Sequence, residues 1–229
     1  MICFAVIIVM CFIIAIIMKE KAYHRTTYYK STKNSLAFMN RGQSGEYELF
    51  LRLEQMEQRG AKFLFNVYLP TGYDRTTEVD MIMISDKGIF VFESKNYSGW
   101  VFGNENQTKW TVVYKGGRKE RLVNPVKQND WHIQCLKKQI DIVTPIYSVI
   151  AFSNSCTLKK ITILNKNVIF GYANDVVNAI YDIHKNTENK FLSENNIKDI
   201  YNVLHPMMKV DEYVKKKHVN DIHNAHISN

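Results

Sequence analysis

Four cysteines, none of them spaced as C-x-x-C, leave this 229-residue chain without a legible zinc framework or disulfide scaffold. Cys3 and Cys11 fall inside an apolar run, Cys135 and Cys156 stand apart, and the pattern suits a reducing compartment. Neither a Walker-type phosphate loop nor a G-x-S-x-G elbow is present, so P-loop nucleotide chemistry and the serine-hydrolase reading drop out. There is no internal repeat of the kind that builds solenoids. No Lys or Arg precedes residue 19 and no A-x-A follows the apolar run, which argues against a cleaved secretory signal. Acidic residues are outnumbered, 22 against 30 basic, for a net charge of +8. That balance favours an anionic partner, nucleic acid or acidic lipid, without choosing between them. Apolar residues make up 46% of the chain, enough to bury a core.

Ile2 to Met18 is an unbroken apolar run of 17 residues. As a helix it would cover about 25 Å, near the lower limit for a bilayer, and Lys19 and Lys21 could snorkel to extend it. The run reads as an uncleaved transmembrane anchor over residues 1–18. Lys19, Lys21, Arg25, Lys30, Lys33 and Arg41 follow against Glu20 alone, so the positive-inside rule places the body of the protein in the cytoplasm at the cell membrane. Basic residues beside an anchor usually meet lipid headgroups, so this cluster says little about nucleic acid. Residues 19–41 read as a basic, polar linker.

The stretch Val79–Lys95 reads as a β-hairpin. Val79–Ile84 and Ile89–Phe92 are branched and aromatic runs, and Ser85-Asp86-Lys87-Gly88 between them supplies turn chemistry. Pairing Ile84 with Ile89 sets Asp80 across from Glu93, with Lys95 on the face of Glu93. Two carboxylates directly opposed repel each other, unless a cation sits between them. An oxygen-rich, hydrated site of that kind suits Mg²⁺ or Mn²⁺. Lys95 could orient or deprotonate a water there and offset charge on a phosphate. The alternative is a solvated hairpin end, and a one-residue slip in register would remove the opposition.

Around the hairpin, a helical pattern runs from Glu46 to Arg59 with Ser44 as a plausible N-cap, and Lys62–Leu69 reads as a strand. Glu46 stands on the side of Leu49 and Phe50, in a first turn where a carboxylate also suits the helix dipole. Trp110–Tyr114 is a short strand followed by a basic turn. Between Lys109 and Lys138 there are eight basic residues and two acidic ones. Within this region Lys115, Arg118, Lys119, Arg121 and Lys127 are the candidates for phosphate contacts, the alternative being a solvated surface. Asn124-Pro125 opens a helix on which Gln128, Trp131, His132 and Cys135 share a face. His132 lacks an evident partner and reads as partly buried and structural. Strands are expected at Ile146–Phe152, Ile161–Leu164 and Val168–Phe170, and closing helices at Ala173–His184 and Ser193–Leu204. Residues 206–229 read as a polar, flexible tail whose histidines lack metal spacing.

Gly42-x-x-Gly45-Glu46, Glu78-Val79-Asp80, Phe92-Glu93-Ser94-Lys95-Asn96 with Gly99, Trp110, and Asn124-Pro125-x-x-Gln128 form an ordered set. With the Val149–Asn154 strand, this set resembles the nuclease-related domain (NERD) family over about residues 42–155. The resemblance implies an α/β fold of the PD-(D/E)xK, restriction-endonuclease-like kind: a mixed central sheet flanked by helices over residues 42–205, here preceded by one N-terminal transmembrane helix. It further implies Asp80 and Glu93 as metal ligands, Lys95 as the activating lysine, Glu46 as the helix-borne acid and Gln128 as the glutamine after the E-x-K strand. The expected activity is Mg²⁺-dependent hydrolysis of phosphodiester bonds in DNA. Asp80, Glu93 and the Ser94 carbonyl would hold the ion. The alternative is a membrane-tethered protein that binds nucleic acid or scaffolds without cutting; a lipid-surface adaptor is a third reading. Many relatives of the fold act in pairs, and a homodimer stays open.

Overall fold

The computed structural model describes residues 2–32, 41–72 and 74–227. Its centre is a five-stranded sheet in the order β1-β2-β3-β7-β9. β1 (Lys62–Gly72), β2 (Arg75–Ser85) and β3 (Gly88–Lys95) form an antiparallel meander. β7 (Ile146–Phe152) and β9 (Val168–Tyr172) extend it in parallel. A second sheet, β6-β5-β4-β8, is built from β4 (Gly99–Asn104), β5 (Lys109–Val113), β6 (Lys119–Val123) and β8 (Cys156–Thr162).

Branched and aromatic residues on both faces of the central sheet require cover on both sides. On one face α3 (Arg41–Leu53), α4 (Gln55–Gln58) and α6 (Ala173–Asn186) bury Leu49, Phe50, Met56, Val176 and Ile180 against Phe63, Phe65, Phe90 and Phe92. On the other, α5 (Pro125–Lys137) and α7 (Glu194–Leu204) set Ile133, Leu136, Ile197 and Leu204 against Leu64, Ile82, Ile84 and Val91. Each such side chain contributes roughly 1.5–3 kcal/mol on burial. A third cluster, with Val101, Trp110, Val112, Ile150 and Phe152, joins the two sheets.

The hairpin forms in the register read from the sequence: Ile84 pairs with Ile89, Met83 with Phe90 and Met81 with Phe92. The ladder stops there, so Asp80 and Glu93 are not a ladder pair. The reason lies on the neighbouring strand. Asn66 takes a left-handed backbone (φ 50°) at the position that would face Asp80 across the β1–β2 ladder, a conformation Asn tolerates better than most residues. Phe65 and Met81, before this kink, belong to one core cluster, whereas Val67 and Val79, after it, belong to the other. The strand pair therefore exchanges faces at Asn66 and Asp80.

Several elements differ from expectation. Helix α3 begins at Arg41, which puts Ser44 inside the helix rather than at its cap. β4 and β6 were not anticipated, and the expected strand Ile161–Leu164 lies mostly earlier, in β8. The expected linker contains α2 (Thr27–Thr32), with Tyr23 and Tyr28 buried; its residues 33–40 lie outside those described. The expected tail holds a 3-10 turn (His205–Met208) and helix α8 (Glu212–Ile227), whose His218 is buried. Helix α1 (Ile2–Arg25) covers the apolar run and leaves Ile8, Met10, Ile13, Ile14, Ile17 and Met18 exposed. Among the described residues no helix is long and apolar enough to cross a membrane, and the side chains of much of α1 lie outside that description.

Candidate active site

Glu93 and Lys95 alternate with Ser94 along β3 and so share a face of the sheet, the one covered by α5. Lys95 Nζ lies 2.6 Å from Glu93 Oε1 and donates to Gln128 Oε1 of α5 at 3.1 Å. The second carboxylate oxygen of Glu93 receives His132 Nε2 at 3.1 Å, and His132 Nδ1 faces the Thr77 hydroxyl at 2.9 Å. Helix α5 is placed for this work by Asn124. Its side chain caps the helix at the Val126 N–H, and its Nδ2 donates to the carbonyls of Asn104, Glu105 and Gln107. One turn on, Asn129 Nδ2 ties the helix to Val91 O and Ser148 Oγ of the sheet.

Asp80 reaches the same place from β2, accepting the Ser94 N–H on Oδ2 at 2.7 Å. Helix α3 approaches closely because residue 45 is glycine: a Cβ there would stand 3.2 Å from Ser94 Oγ. That approach delivers Glu46, whose Oε2 accepts the hydroxyl of buried Tyr28 at 3.4 Å.

The electrostatics divide these acids into two kinds. Burial alone would raise Glu93, but Lys95 and His132 outweigh it and hold its carboxyl below the ordinary range. Asp80 goes the other way: burial, then the charges of Glu93 and Glu46, push its carboxyl well above the usual carboxylate range despite the Ser94 N–H. Burial, then Glu78, pushes Glu46 up to about 7, with Glu93 adding to it and the Tyr28 hydrogen bond opposing. Desolvation would lower Lys95, yet Glu93, Tyr97 and Asp80 carry it above the ordinary lysine value, so it stands as an ammonium. The site thus has more carboxyl groups than cations to offset them and keeps protons on the excess, and those carboxyls are oxygen donors of the kind a hard divalent cation takes. Among the described residues no group of three or more His, Cys, Asp or Glu is placed to hold a metal by itself. An ion of the Mg²⁺ type takes one or two carboxylates and keeps its waters, and oxygen donors of that kind are what Asp80 and Glu93 would offer it.

Two cavities flank this cluster. One, of about 350 Å³, is lined by Gly45, Glu48, Ser94, Asn96 and Ser153 among others. The other, of about 400 Å³, is lined by Glu78, Gln128, Trp131, His132 and, from α8, His218.

A family model for the nuclease-related domain matches residues 41–153, which spans every acid described above together with Lys95, Gln128 and His132. The chain is also 31% identical over 185 residues to an uncharacterized protein of Bacillus anthracis, covering 80% of this chain and 84% of that protein. The chain belongs to the nuclease-related domain (NERD) family. No solved structure matches it.

Within this NERD chain, Lys95, Glu93, Asp80, Ser94, Glu46 and Gln128 come together as one cluster. The expected phosphate contacts lie in the turn between β5 and β6, on β6 and on α5. Lys115, Lys119, Arg121 and Lys127 are exposed, while Arg118 already stacks over Tyr114 at 4.5 Å and lies 4.0 Å from Glu120. Sequence reasoning missed Tyr28, Thr77 and the partner of His132, whose contact with Glu93 joins residues 39 apart in the chain. Burial of His132 was foreseen; its hold on Glu93 had no sequence signal except its position one turn after Gln128.

Proposed function

We propose that this NERD protein is a membrane-anchored, divalent-metal-dependent nuclease that hydrolyses phosphodiester bonds in DNA with little sequence preference, on a restriction-endonuclease-like fold. The observation that carries the reading is the Lys95 ammonium, set between Glu93 and Gln128 beside acids that lack compensating charge. Asp80, Glu93 and the Ser94 carbonyl would hold the ion, which when bound supplies Lewis-acid polarisation of the phosphate and activation of a water. Lys95 places positive charge where the phosphate would gain negative charge, and Gln128 fixes its direction. As an ammonium it donates rather than accepts, so its part is electrostatic. His132 keeps Glu93 ionised and correctly turned. Glu46, poised near neutrality, can hold or release a proton at the site.

Membrane anchoring is supported by the 17-residue apolar run in α1 and by the exposed Ile and Met side chains along it, which a bilayer would cover. The basic residues that follow favour a cytoplasmic body.

A second reading, binding without cutting, is favoured by one observation: both oxygens of Glu93 already have partners, Lys95 and His132. Plasmid cleavage by the full chain in detergent separates the two. Mg²⁺-dependent nicking that EDTA abolishes, and that Asp80→Ala and Lys95→Ala both lose while remaining folded, is the expected result. Equal cleavage by both variants would remove the assignment.

A further inference from the structure

The second sheet has one covered face and one open face. Val101, Trp110 and Val112 point inward to the cluster with Ile150 and Phe152. Their neighbours along the strands point outward. On that outer face Trp100 pairs with Val113 and Thr157, and Phe102 with Thr111 and Lys160. The next strand adds Lys119 beside Val113 and Arg121 beside Thr111. Lys109 and Val123 form a further pair at the end of the same ladder. No Asp or Glu occupies any of these outward positions. A bulge in the β4–β8 ladder between Val101 and Phe102 frees Lys159, whose Nζ lies 4.8 Å from the centre of the Trp100 ring.

Trp100 is 52% exposed, and the aromatic ring costs solvation there unless something covers it. The composition of the face states what that is. Its charges are all positive, which excludes a basic or neutral partner as the natural complement, and its apolar centre is an aromatic ring rather than an aliphatic patch. Lys119 and Arg121, two residues apart on one strand, are ~6.7 Å apart, about two steps of a stacked nucleotide strand at ~3.4 Å each. Basic side chains that follow a phosphate chain around a ring that stacks on bases are what single-stranded nucleic acid requires, whereas a duplex offers no base face to an exposed ring.

We propose that this outer face is a stacking platform for single-stranded DNA, with a base on Trp100 and phosphates on Lys119, Arg121, Lys159 and Lys160. The platform also answers a difficulty at the acid cluster, which offers a polyanion little free positive charge because its lysine is engaged by Glu93. Trp100 lies five residues beyond Lys95 in the chain, a reach of at most ~18 Å, or about five stacked nucleotides. A strand held on the platform is therefore held within a few nucleotides of the site. The choice of DNA rests on the nuclease reading proposed above; the binding does not.

The test is fluorescence anisotropy with the full chain in detergent, a labelled oligothymidylate and EDTA, so that binding is read without cleavage. Trp100→Ala is expected to weaken binding about 5- to 150-fold, Trp100→Phe to restore most of it, and duplex DNA to bind equally with or without Trp100. Lys159→Ala with Lys160→Ala is expected to flatten the slope of log affinity against log salt by about 1.4. Because Trp100 is exposed, the unfolding midpoint should not move; should Trp100→Ala fail to fold, the lysine pair carries the test through the salt slope. Wild-type affinity in Trp100→Ala, equal losses on single strand and duplex, binding of oligouridylate alone, or a dimer that Trp100→Ala dissociates would each overturn the proposal. Binding that depends on Trp100 without any cleavage would end the nuclease reading and leave the platform standing; Mg²⁺-dependent cleavage indifferent to Trp100 would do the reverse.

Discussion

Replacing Glu46 by Gln should stabilise the metal-free protein at alkaline pH and leave it nearly unchanged in acid. In the folded chain the carboxyl is raised from 4.5 to about 7, by burial first and then by Glu78. A raised carboxyl means that the native state binds the proton more tightly than the unfolded chain, so stability falls as pH rises from about 4.5 through 7 and stays low above that. A shift of that size corresponds to a ceiling of about 3 kcal/mol, at 1.36 kcal/mol for each pH unit. Electrostatic coupling to the neighbouring acids brings the expected gain at pH 8 to about 1–3 kcal/mol. In a chain of this size that is roughly 2–12 °C in unfolding midpoint. Gln retains the carbonyl oxygen that accepts from Tyr28, so the comparison isolates the charge. Thermal unfolding of both proteins at pH 5 and pH 8, with EDTA, reads the difference directly. Saturating Mg²⁺ should narrow the gap at pH 8 by stabilising the wild type. A gap independent of pH, or a variant less stable than wild type at pH 8, would refute the electrostatic picture of the site.

His132→Ala leaves Glu93 Oε2 buried without its donor, and a loss of about 1–3 kcal/mol in urea unfolding is expected. Asn124→Ala removes the cap of α5 and the donor to three carbonyls, and should cost more than about 2 kcal/mol by the same measurement. Tyr28→Phe keeps the edge-on ring contact with Phe65, at 4.9 Å between centroids, and removes only the hydroxyl that Glu46 accepts. It should cost about 0.5–1.5 kcal/mol, and Tyr28→Ala considerably more, by differential scanning calorimetry.

The hairpin was legible because two branched runs of matched length enclose a turn with one glycine, and the pairing of Ile84 with Ile89 follows from that alone. What the pattern could not supply was the kink at Asn66, an interruption on the adjacent strand that carries Asp80 out of the ladder while leaving it against Ser94. β6 escaped because Lys-Glu-Arg-Leu-Val places no more than one partly buried residue on a half-open sheet, so its alternation shows no apolar period. His132 looked partnerless because its partner lies 39 residues away, on a strand that only the packing of α5 brings near. Tyr28 lies outside the family match, before residue 41, in a segment whose polar composition conceals two buried tyrosines. Local chemistry set the elements; contacts between distant elements completed the site.

Calorimetric titration of Mn²⁺ into the full chain at pH 7 bears most directly on the central claim, that these acids and Lys95 make a divalent-ion site. One ion should bind per chain, with release of a fraction of a proton or more as Asp80 and Glu46 give up what they hold, and both signals should vanish in Asp80→Asn. Absence of binding in the wild type, or binding unchanged by both Asp80→Asn and Glu93→Gln, would contradict it.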